Sequence, residues 1–454
     1  MDMNFSNMVP EAQMIRKISI SAVAVSLFAS IASAGVNFDS GKNLNIKEEI
    51  ASMDTAVPAA TQDKSILSWL GLGKTDETKA LAEWTIMVFV NGKNNLEPFA
   101  IKDINEMEQV GSNAKMNIVV ELGRMDGYDT SNGDWKTTRR YYVTKDNDTT
   151  KIGSKMLADL GDIDMGNYQS VIDFGNWAKK AYPAKKYMLV IWNHGSGWEK
   201  SVNGTITKGI SYDEVTGNHI NTVQLGQVLK GIGGVDVYGS DACLMQMAEV
   251  DYEIKDSVKY IVGSEETEPG DGYTYNTFLG PVAAKPEMSP EELARTAVNA
   301  YADHYQTNNE GATQSLVNPA SIPQMMTLVN DFAYAVTQAG EKDLAKSARD
   351  GAVKFAIAEN KDLYDFTRLV VEGTRSDDVK AKGQALMSFI TGNLVMVNRT
   401  INAPGGGWNE PMDYSPAKGI SIYIPSGTLG DGYMDLQWAK YSNWDEFVNW
   451  MNQP

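Results

Sequence analysis

The chain offers few side chains that could form a nucleophile–base pair, because it has one cysteine and three histidines. His194 closely follows the apolar run Tyr187–Trp192, and Cys243 closely follows the apolar run Val235–Gly239. Both runs have the length and the β-branched and aromatic content of buried strands. Ligands bind beyond the carboxyl ends of parallel strands, so neighbouring strands would bring His194 and Cys243 to one edge of a sheet. A thiol beside an imidazole can act as a nucleophile, and the pair predicts covalent catalysis.

Two further features of the sequence support this chemistry. A helical pattern over Leu244–Lys255 begins directly after Cys243, and both a helix N-terminus and a nearby imidazole lower the pKa of a thiol. Gly195 follows His194, and without a Cβ its N–H can approach a substrate carbonyl closely. We therefore expect the backbone N–H groups of Gly195 and Cys243 to bind the oxyanion.

The elements that must position these residues follow an α/β pattern after residue 83. Continuous apolar runs of strand length predict burial on both faces, as in a parallel sheet. The predicted strands are Trp84–Val90, Asn117–Glu121, Tyr187–Ile191, Val235–Gly239, Tyr260–Gly263 and Ile420–Ile424, with a side hairpin at Tyr141–Val143. The predicted crossover helices are Leu96–Val110, Tyr168–Lys180, Thr222–Lys230 and Leu244–Lys255. These elements predict an α/β core over residues 83–284.

Residues 285–400 are rich in Ala, Met and Lys and predict a helical elaboration. Ser289 followed by Pro290 is typical of a helix start, with Ser at the N-cap and Pro at the first helical position. The late apolar run Ile420–Ile424 predicts that the chain then returns to the sheet. We therefore interpret residues 285–454 as a helical elaboration that ends near the sheet at 420–425.

Composition excludes several classes of function. The chain has 40 Lys+Arg against 58 Asp+Glu and a net charge of −18, which argues against a nucleic-acid partner. One cysteine excludes an internal disulfide framework. Acidic loops at Asp126, Asp129 and Asp134 and at 146–148 could bind calcium, but they lack the glycine and distal Glu of an EF-hand. No ligand spacing for a metal is recognisable, so the sequence predicts no metal and requires no cofactor.

The N-terminus has the pattern of a signal peptide. Arg16 and Lys17 precede the apolar run Ile18–Ile31, and Ala32-Ser33-Ala34 suits a cleavage site. We expect residues 1–34 to be removed, with Met14 as an alternative start. The apolar run is too short to anchor the chain, so we expect no integral membrane segment after cleavage and an exported protein, periplasmic or secreted. Residues 35–82 have little periodicity and predict a linker or pro-segment.

A different interpretation is that Cys243 is inert. Single cysteines are commonly small buried hydrophobes, and single histidines are commonly structural, as we interpret His219 and His304. The chain would then be a secreted binding or surface-interaction protein. An unpaired thiol in an oxidising compartment is a liability, however, and its pairing with a glycine-flanked histidine favours catalysis. A third alternative is transpeptidation or amide hydrolysis on a cell-wall-like substrate.

The chain resembles the clostripain family of cysteine peptidases over most of residues 84–425. The resemblance rests on these segments: Trp84–Val90 with Asn94-Asn95-Leu96, Asn193–Trp198, Asp241–Met245, Ser264–Tyr273 and Gly419–Pro425. It implies a caspase-like three-layer α/β/α sandwich with a mostly parallel central sheet and a helical C-terminal elaboration. It also implies an endopeptidase that forms an acyl-enzyme through a Cys243–His194 dyad, with protein or peptide substrates.

The sequence also suggests where substrate specificity resides. Burial of an Arg or Lys side chain requires a carboxylate partner, and Asp241 lies two residues before Cys243. The loop after the next strand adds Glu265, Glu266, Glu268 and Asp271. Resemblance to clostripain implies cleavage after Arg or Lys, so we expect Asp241, with Glu268 and Asp271, to line the P1 pocket. Arg should be preferred, because only a guanidinium pairs with a carboxylate in bidentate fashion.

A polar loop over residues 199–213 follows the histidine motif, and loops of this kind are frequent sites of proteolysis. Members of the resembled family mature by cleavage in this interval. We therefore expect self-cleavage after Lys208, with Lys200 as the alternative.

Overall fold

The computed structural model of the protein describes residues 81–453, apart from 199, 203–204, 208 and 406–410. The predicted signal peptide lies outside the described residues, as does the predicted linker up to residue 80. Lys208 also lies outside them, and only the backbone of Lys200 is described.

Strands and helices alternate along the described chain. The strands are β1 (Ala82–Gly92), β2 (Met116–Arg124), β3 (Thr138–Tyr142), β4 (Lys155–Asp159), β5 (Ala184–Trp192), β6 (Lys200–Val202), β7 (Thr205–Thr207), β8 (Ile210–Asp213), β9 (Asn218–Ile220), β10 (Val235–Asp241), β11 (Val258–Gly263), β12 (Ala312–Val317), β13 (Asn360–Asp362), β14 (Val395–Ile401) and β15 (Ser421–Tyr423). The helices are α1 (Glu97–Val110), α2 (Tyr168–Ala181), α3 (Thr222–Gly231), α4 (Ala248–Ile254), α5 (Tyr275–Ala284), α6 (Pro290–Asn308), α7 (Ile322–Ala339), α8 (Lys342–Gly351), α9 (Leu363–Gly373), α10 (Asp377–Phe389), α11 (Gln437–Tyr441) and α12 (Trp444–Asn452).

Nine strands form the central sheet in the order β14-β12-β11-β10-β5-β1-β2-β3-β4. The five central strands, from β11 to β2, are parallel to one another. Antiparallel strands extend the sheet on both sides, with β12 and β14 at one edge and β3 and β4 at the other. The predicted strand at Tyr141–Val143 is therefore part of the main sheet.

Apolar side chains on both faces of the central strands explain why these strands are buried. In β1, Trp84 and Val88 belong to the core on one face, and Met87 and Phe89 belong to the core on the other. Successive side chains of a strand point to opposite faces, so a continuous apolar run requires a layer of helices on each side. This is the three-layer arrangement that the sequence predicts.

Helix starts follow the expected local chemistry. Ser289 caps α6 and forms a capping box with Glu292, with Pro290 in the first turn, as the sequence predicts. Asn221 forms a similar capping box at the start of α3. The predicted helices α1, α2 and α3 match the structure to within one residue at each end.

Two predictions about the elements are wrong. The helix after Cys243 begins at Ala248 and not at Leu244. β15, at the predicted late strand, pairs with β13 and not with the nine-stranded sheet, which the chain rejoins through β12 and β14. Residues after 285 also share one core with the earlier residues, because Phe366 and Trp444 lie in the same apolar cluster as Phe89.

Candidate active site

The ends of β5 and β10 lie side by side in the sheet. These two strands are parallel neighbours, and Trp192 is level with Asp241. His194 and Cys243 each lie two residues beyond that pair. Both residues line a cavity of about 190 Å³ at this edge of the sheet. The sequence-predicted pair is therefore brought together at the carboxyl ends of adjacent parallel strands.

The segment that carries His194 is held by buried hydrogen bonds. The side chain of Asn193 donates to the carbonyl of Asn91 at 2.6 Å and accepts from the N–H of Tyr212 at 2.6 Å. The His194 ring is half-buried, and its Nε2 lies 2.7 Å from Oδ1 of Asn95. Asn95 was part of the motif that carried the resemblance, but sequence reasoning gave it no role.

Cys243 lies in a turn between β10 and α4. Its Sγ is half-buried and accepts a hydrogen bond from the N–H of Glu268 at 3.3 Å. Burial, together with the nearby carboxyl groups of Glu268 and Glu266, raises the pKa of the Cys243 thiol to about 11. The expected lowering of this pKa is therefore not found here, because α4 begins five residues later and acidic groups lie nearby.

The backbone around Cys243 is closely packed and locally strained. Leu244 has φ +64°, a left-handed conformation that is unfavourable for a residue with a Cβ. Its N–H donates to the carbonyl of Glu266 at 3.1 Å, which helps to fix the turn. A Cβ on Gly195 would lie 3.1 Å from the Cys243 nitrogen and closer still to its carbonyl oxygen. The two expected oxyanion donors are therefore on adjoining backbone segments.

Two of the predicted acids line the cavity. Asp241 is buried, accepts hydrogen bonds from the Tyr273 N–H at 3.0 Å and the Tyr275 hydroxyl at 2.8 Å, and has its pKa raised to about 6 by burial. Burial and nearby Asp241 also raise the pKa of Glu268. A Cβ on Gly272 would lie 2.7 Å from Oδ1 of Asp241, so a residue without a side chain is required beside that carboxyl. Within the described chain, neither carboxyl group forms an ion pair with a basic side chain.

The remaining acids of this loop have other partners. Asp271 pairs with Lys102 at 2.7 Å and with His304 at 3.0 Å, and Lys102 lowers the pKa of its carboxyl group. Asp271 is not among the residues that line the cavity. Glu266 accepts from the Tyr414 hydroxyl at 3.0 Å, and Glu265 accepts from the N–H of Gly419 at 3.0 Å.

The sequence analysis did not identify Trp192 as a residue that lines the cavity, and it did not identify the apolar residues that pack against Cys243. Trp192 lines the cavity, and its indole N–H donates to the buried carboxyl of Asp103 at 2.7 Å. The sequence feature that could have indicated this contact is Asp103, an acidic residue on the buried side of α1. Cys243 also packs against a small apolar cluster from the C-terminal half: Leu244, Phe355, Tyr414 and Ala417. No sequence pattern links these distant residues.

One of the two acidic loops that could bind calcium, the loop with Asp126 and Asp129, has basic partners. Asp126 pairs with Lys136 at 2.6 Å, and Asp129 pairs with Arg124 at 3.2 Å. Among the described residues, no cluster of three or more His, Cys, Asp or Glu side chains is arranged to hold a metal ion. No helix of that part of the chain is long and apolar enough to cross a membrane.

The sequence matches the family model described as the clostripain family over residues 88–452. The chain belongs to the clostripain family. Clostripain from Hathewaya histolytica is 25% identical over 221 residues, which are 44% of this chain and 42% of clostripain. The match therefore spans less than half the length of that relative. The family named from the sequence motifs is confirmed.

Solved structures of clostripain-type proteins share the fold. One is a secreted C11 cysteine protease from Bacteroides thetaiotaomicron in complex with an irreversible peptide inhibitor, with a TM-score of 0.59, 20% identity, and coverage of 81% of this chain and 99% of that chain. Another is an inactive zymogen C11 protease from Parabacteroides distasonis, with a TM-score of 0.61, 18% identity, and coverage of 80% and 98%. The predicted caspase-like α/β fold is confirmed.

Proposed function

We propose that the protein is an exported cysteine endopeptidase that cleaves after Arg, and less efficiently after Lys. The observation that carries this proposal is a pair of carboxyl groups, those of buried Asp241 and half-buried Glu268, in the cavity beside Cys243. Two acids without a basic partner are costly to bury, and a cationic ligand would offset that cost.

The chemistry would proceed by acyl transfer. The Cys243 sulfur attacks the scissile carbonyl carbon, and His194 takes the thiol proton and delivers it to the leaving amine. The N–H groups of Gly195 and Cys243 stabilise the negative oxygen of the tetrahedral intermediate. A water molecule then attacks the thioester, loses a proton to His194, and releases the acid product and the free thiol.

The cavity walls support a preference for Arg. A guanidinium can form two parallel hydrogen bonds to one carboxylate, which an ammonium cannot. Trp192 also lines the cavity, and a guanidinium stacks favourably on an aromatic face. Asp241 and Glu268 would supply the charge, and Trp192 would supply the stacking surface.

The experiment that tests this specificity is the substitution Asp241→Asn. Asn keeps the shape of the side chain and an acceptor for the Tyr273 N–H but removes the charge. We expect kcat/KM for Arg substrates to fall at least about tenfold, equivalent to about 1.4 kcal/mol.

The matched control is Asp271→Asn, which removes an acid of the same region that already pairs with Lys102 and His304. We expect a smaller effect, and iodoacetamide should still label Cys243 in both variants. Unchanged Arg preference in Asp241→Asn would move the specificity role to Glu268 or Asp271.

We also propose that the chain is exported after removal of residues 1–34 and is activated by self-cleavage after Lys208, or after Lys200. Gly209 supports this proposal, because its carbonyl accepts a hydrogen bond from the Ser196 N–H at 2.9 Å. This hydrogen bond connects the segment after Lys208 to the segment that carries His194. Cleavage there would leave the new N-terminus close to the site.

A further inference from the structure

Trp192 and Asp241 lie side by side on one face of the sheet. They occupy level positions on the parallel strands β5 and β10, and side chains at level positions of neighbouring strands point to the same face. Both residues are buried, and both line the cavity beside Cys243. A guanidinium paired with the Asp241 carboxyl would therefore lie next to Trp192.

Helix α1 packs on this face of the sheet, where Ile101 and Ile104 share an apolar cluster with Trp192. The indole N–H of Trp192 donates to Oδ2 of Asp103 at 2.7 Å. Asp103 is 1% exposed, and its Oδ1 has no hydrogen-bond partner within the described chain. A buried indole N–H without an acceptor is unfavourable, so the contact with Asp103 fixes the rotation of the ring.

The surroundings of Asp103 suit an acceptor better than a charge. Burial and nearby Asp241 raise the pKa of the Asp103 carboxyl. A neutral carboxyl group keeps a carbonyl oxygen that can accept the indole N–H. Replacement of this carboxyl by an amide should therefore preserve the contact, whereas an apolar side chain should abolish it.

We propose that Asp103 is a positioning residue that holds Trp192 in place against the P1 side chain and thereby contributes to the preference for Arg over Lys. The inference rests on the proposed function, since it places a cationic P1 residue in this cavity. A planar guanidinium stacks on an aromatic ring better than an ammonium does, so a fixed ring favours Arg. Asp103 itself is not among the residues that line the cavity.

The contact can be measured without substrate. In a ¹⁵N spectrum of the full-length Cys243→Ala protein, each of the ten Trp residues has one indole N–H, and the signal lost in Trp192→Phe identifies Trp192. We expect this signal to be protected from exchange with solvent, to persist in Asp103→Asn and to shift in Asp103→Leu.

The control for the spectrum is Asp173→Leu, the same substitution at an exposed acid of α2, which should leave the Trp192 signal unchanged. A wild-type Trp192 N–H that exchanges freely with solvent would overturn the proposal, and this measurement needs no variant of Asp103. An unmoved signal in Asp103→Leu would overturn it as well.

Cleavage of matched Arg and Lys peptides, by protein with Cys243 intact, provides the second readout. We expect Asp103→Leu to lower the Arg-to-Lys ratio of kcat/KM about fivefold, the size of effect that a cation–π contact produces. Asp103→Asn should keep the wild-type ratio. An equal loss in Asp103→Asn would mean that the charge of Asp103 acts on the substrate, and an unchanged ratio in Asp103→Leu would mean that the contact has no part in specificity; either result would refute the positioning role.

A double-mutant cycle separates positioning from a general structural effect. The Trp192→Phe protein has no indole N–H to hold, so Asp103→Leu should cause no further loss of the Arg-to-Lys ratio in that background. Additive losses would contradict the proposal. A wild type that cleaves after neither Arg nor Lys would refute the proposed function and with it the role in specificity, whereas the spectrum tests the contact between Asp103 and Trp192 independently.

Discussion

At the scale of single residues, the surroundings of Cys243 keep its thiol protonated. Burial and two nearby acids raise its pKa to about 11, so the thiol is almost entirely protonated at about pH 7. A guanidinium in the cavity would offset the charge of Glu268 and lower that pKa. Glu268, one of the two acids that we propose to select substrate, therefore also disfavours ionisation of the Cys243 thiol until substrate binds.

This restraint predicts the pH dependence of alkylation in the uncleaved chain, obtained as the double variant Lys200→Ala with Lys208→Ala. Alkylation by iodoacetamide should accelerate about tenfold per pH unit from about pH 7 to about pH 10 without a plateau, because the thiolate fraction keeps rising below the pKa. A free cysteine derivative measured in parallel should level off near its ordinary pKa of about 8.5. A plateau below about pH 9 in the protein would contradict the raised pKa.

The same assay addresses the inert-cysteine alternative. Slow labelling of the uncleaved chain fits both an enzyme and a binding protein, so the comparison must use cleaved wild-type protein. We expect the cleaved protein to be labelled faster than the double variant at about pH 7, and equal rates would favour the binding protein.

At the scale of elements, burial decides what the sequence can predict. The strands β1, β2, β5, β10 and β11 were predictable because their side chains are apolar on both faces. By contrast, β12 was missed because its buried centre is polar, with Thr313, Gln314 and Ser315. Thr313 accepts from the N–H of Glu265 at 3.1 Å, so these polar residues serve the loop beside the site. Tertiary hydrogen bonds of this kind leave no periodic pattern in the sequence.

The helix after Cys243 was misplaced for a related reason. The periodicity from Leu244 continues into α4, but Leu244 has a positive φ and its N–H bonds to the loop that contains Glu266. The N–H of Gln246 likewise donates to the Ser264 carbonyl at 2.9 Å. Long-range contacts thus replace the first turn of the expected helix. The pair of strand ends was predictable, whereas the electrostatic surroundings of the thiol were not.

At the scale of the whole molecule, the site draws on distant parts of the chain. His194 and Cys243 follow two central strands, and the apolar cluster that packs against Cys243 includes Phe355 and Tyr414. The C-terminal half is therefore part of the working unit, in agreement with the family match that continues to residue 452. The interval 199–213 separates the two reactive residues and is where we propose cleavage.

Self-processing predicts a specific pattern of chains. Mass spectrometry of purified wild-type protein should give two chains, with the second beginning at Gly209, or at Ser201 if Lys200 is used. The Cys243→Ala protein should remain a single chain, because it lacks the nucleophile. Fully active wild-type protein that stays uncleaved would rule out a requirement for processing.

The measurement that tests the central claim most directly is cleavage of a positional peptide library by mature wild-type protein and by Cys243→Ala. We expect the wild type to cleave after Arg, and more slowly after Lys, because the carboxyl groups of Asp241 and Glu268 line the cavity beside Cys243. Cys243→Ala should show no cleavage above background. Full activity in Cys243→Ala would contradict the proposed mechanism, and efficient wild-type cleavage after Leu or Asp would contradict the assignment of a basic P1 residue.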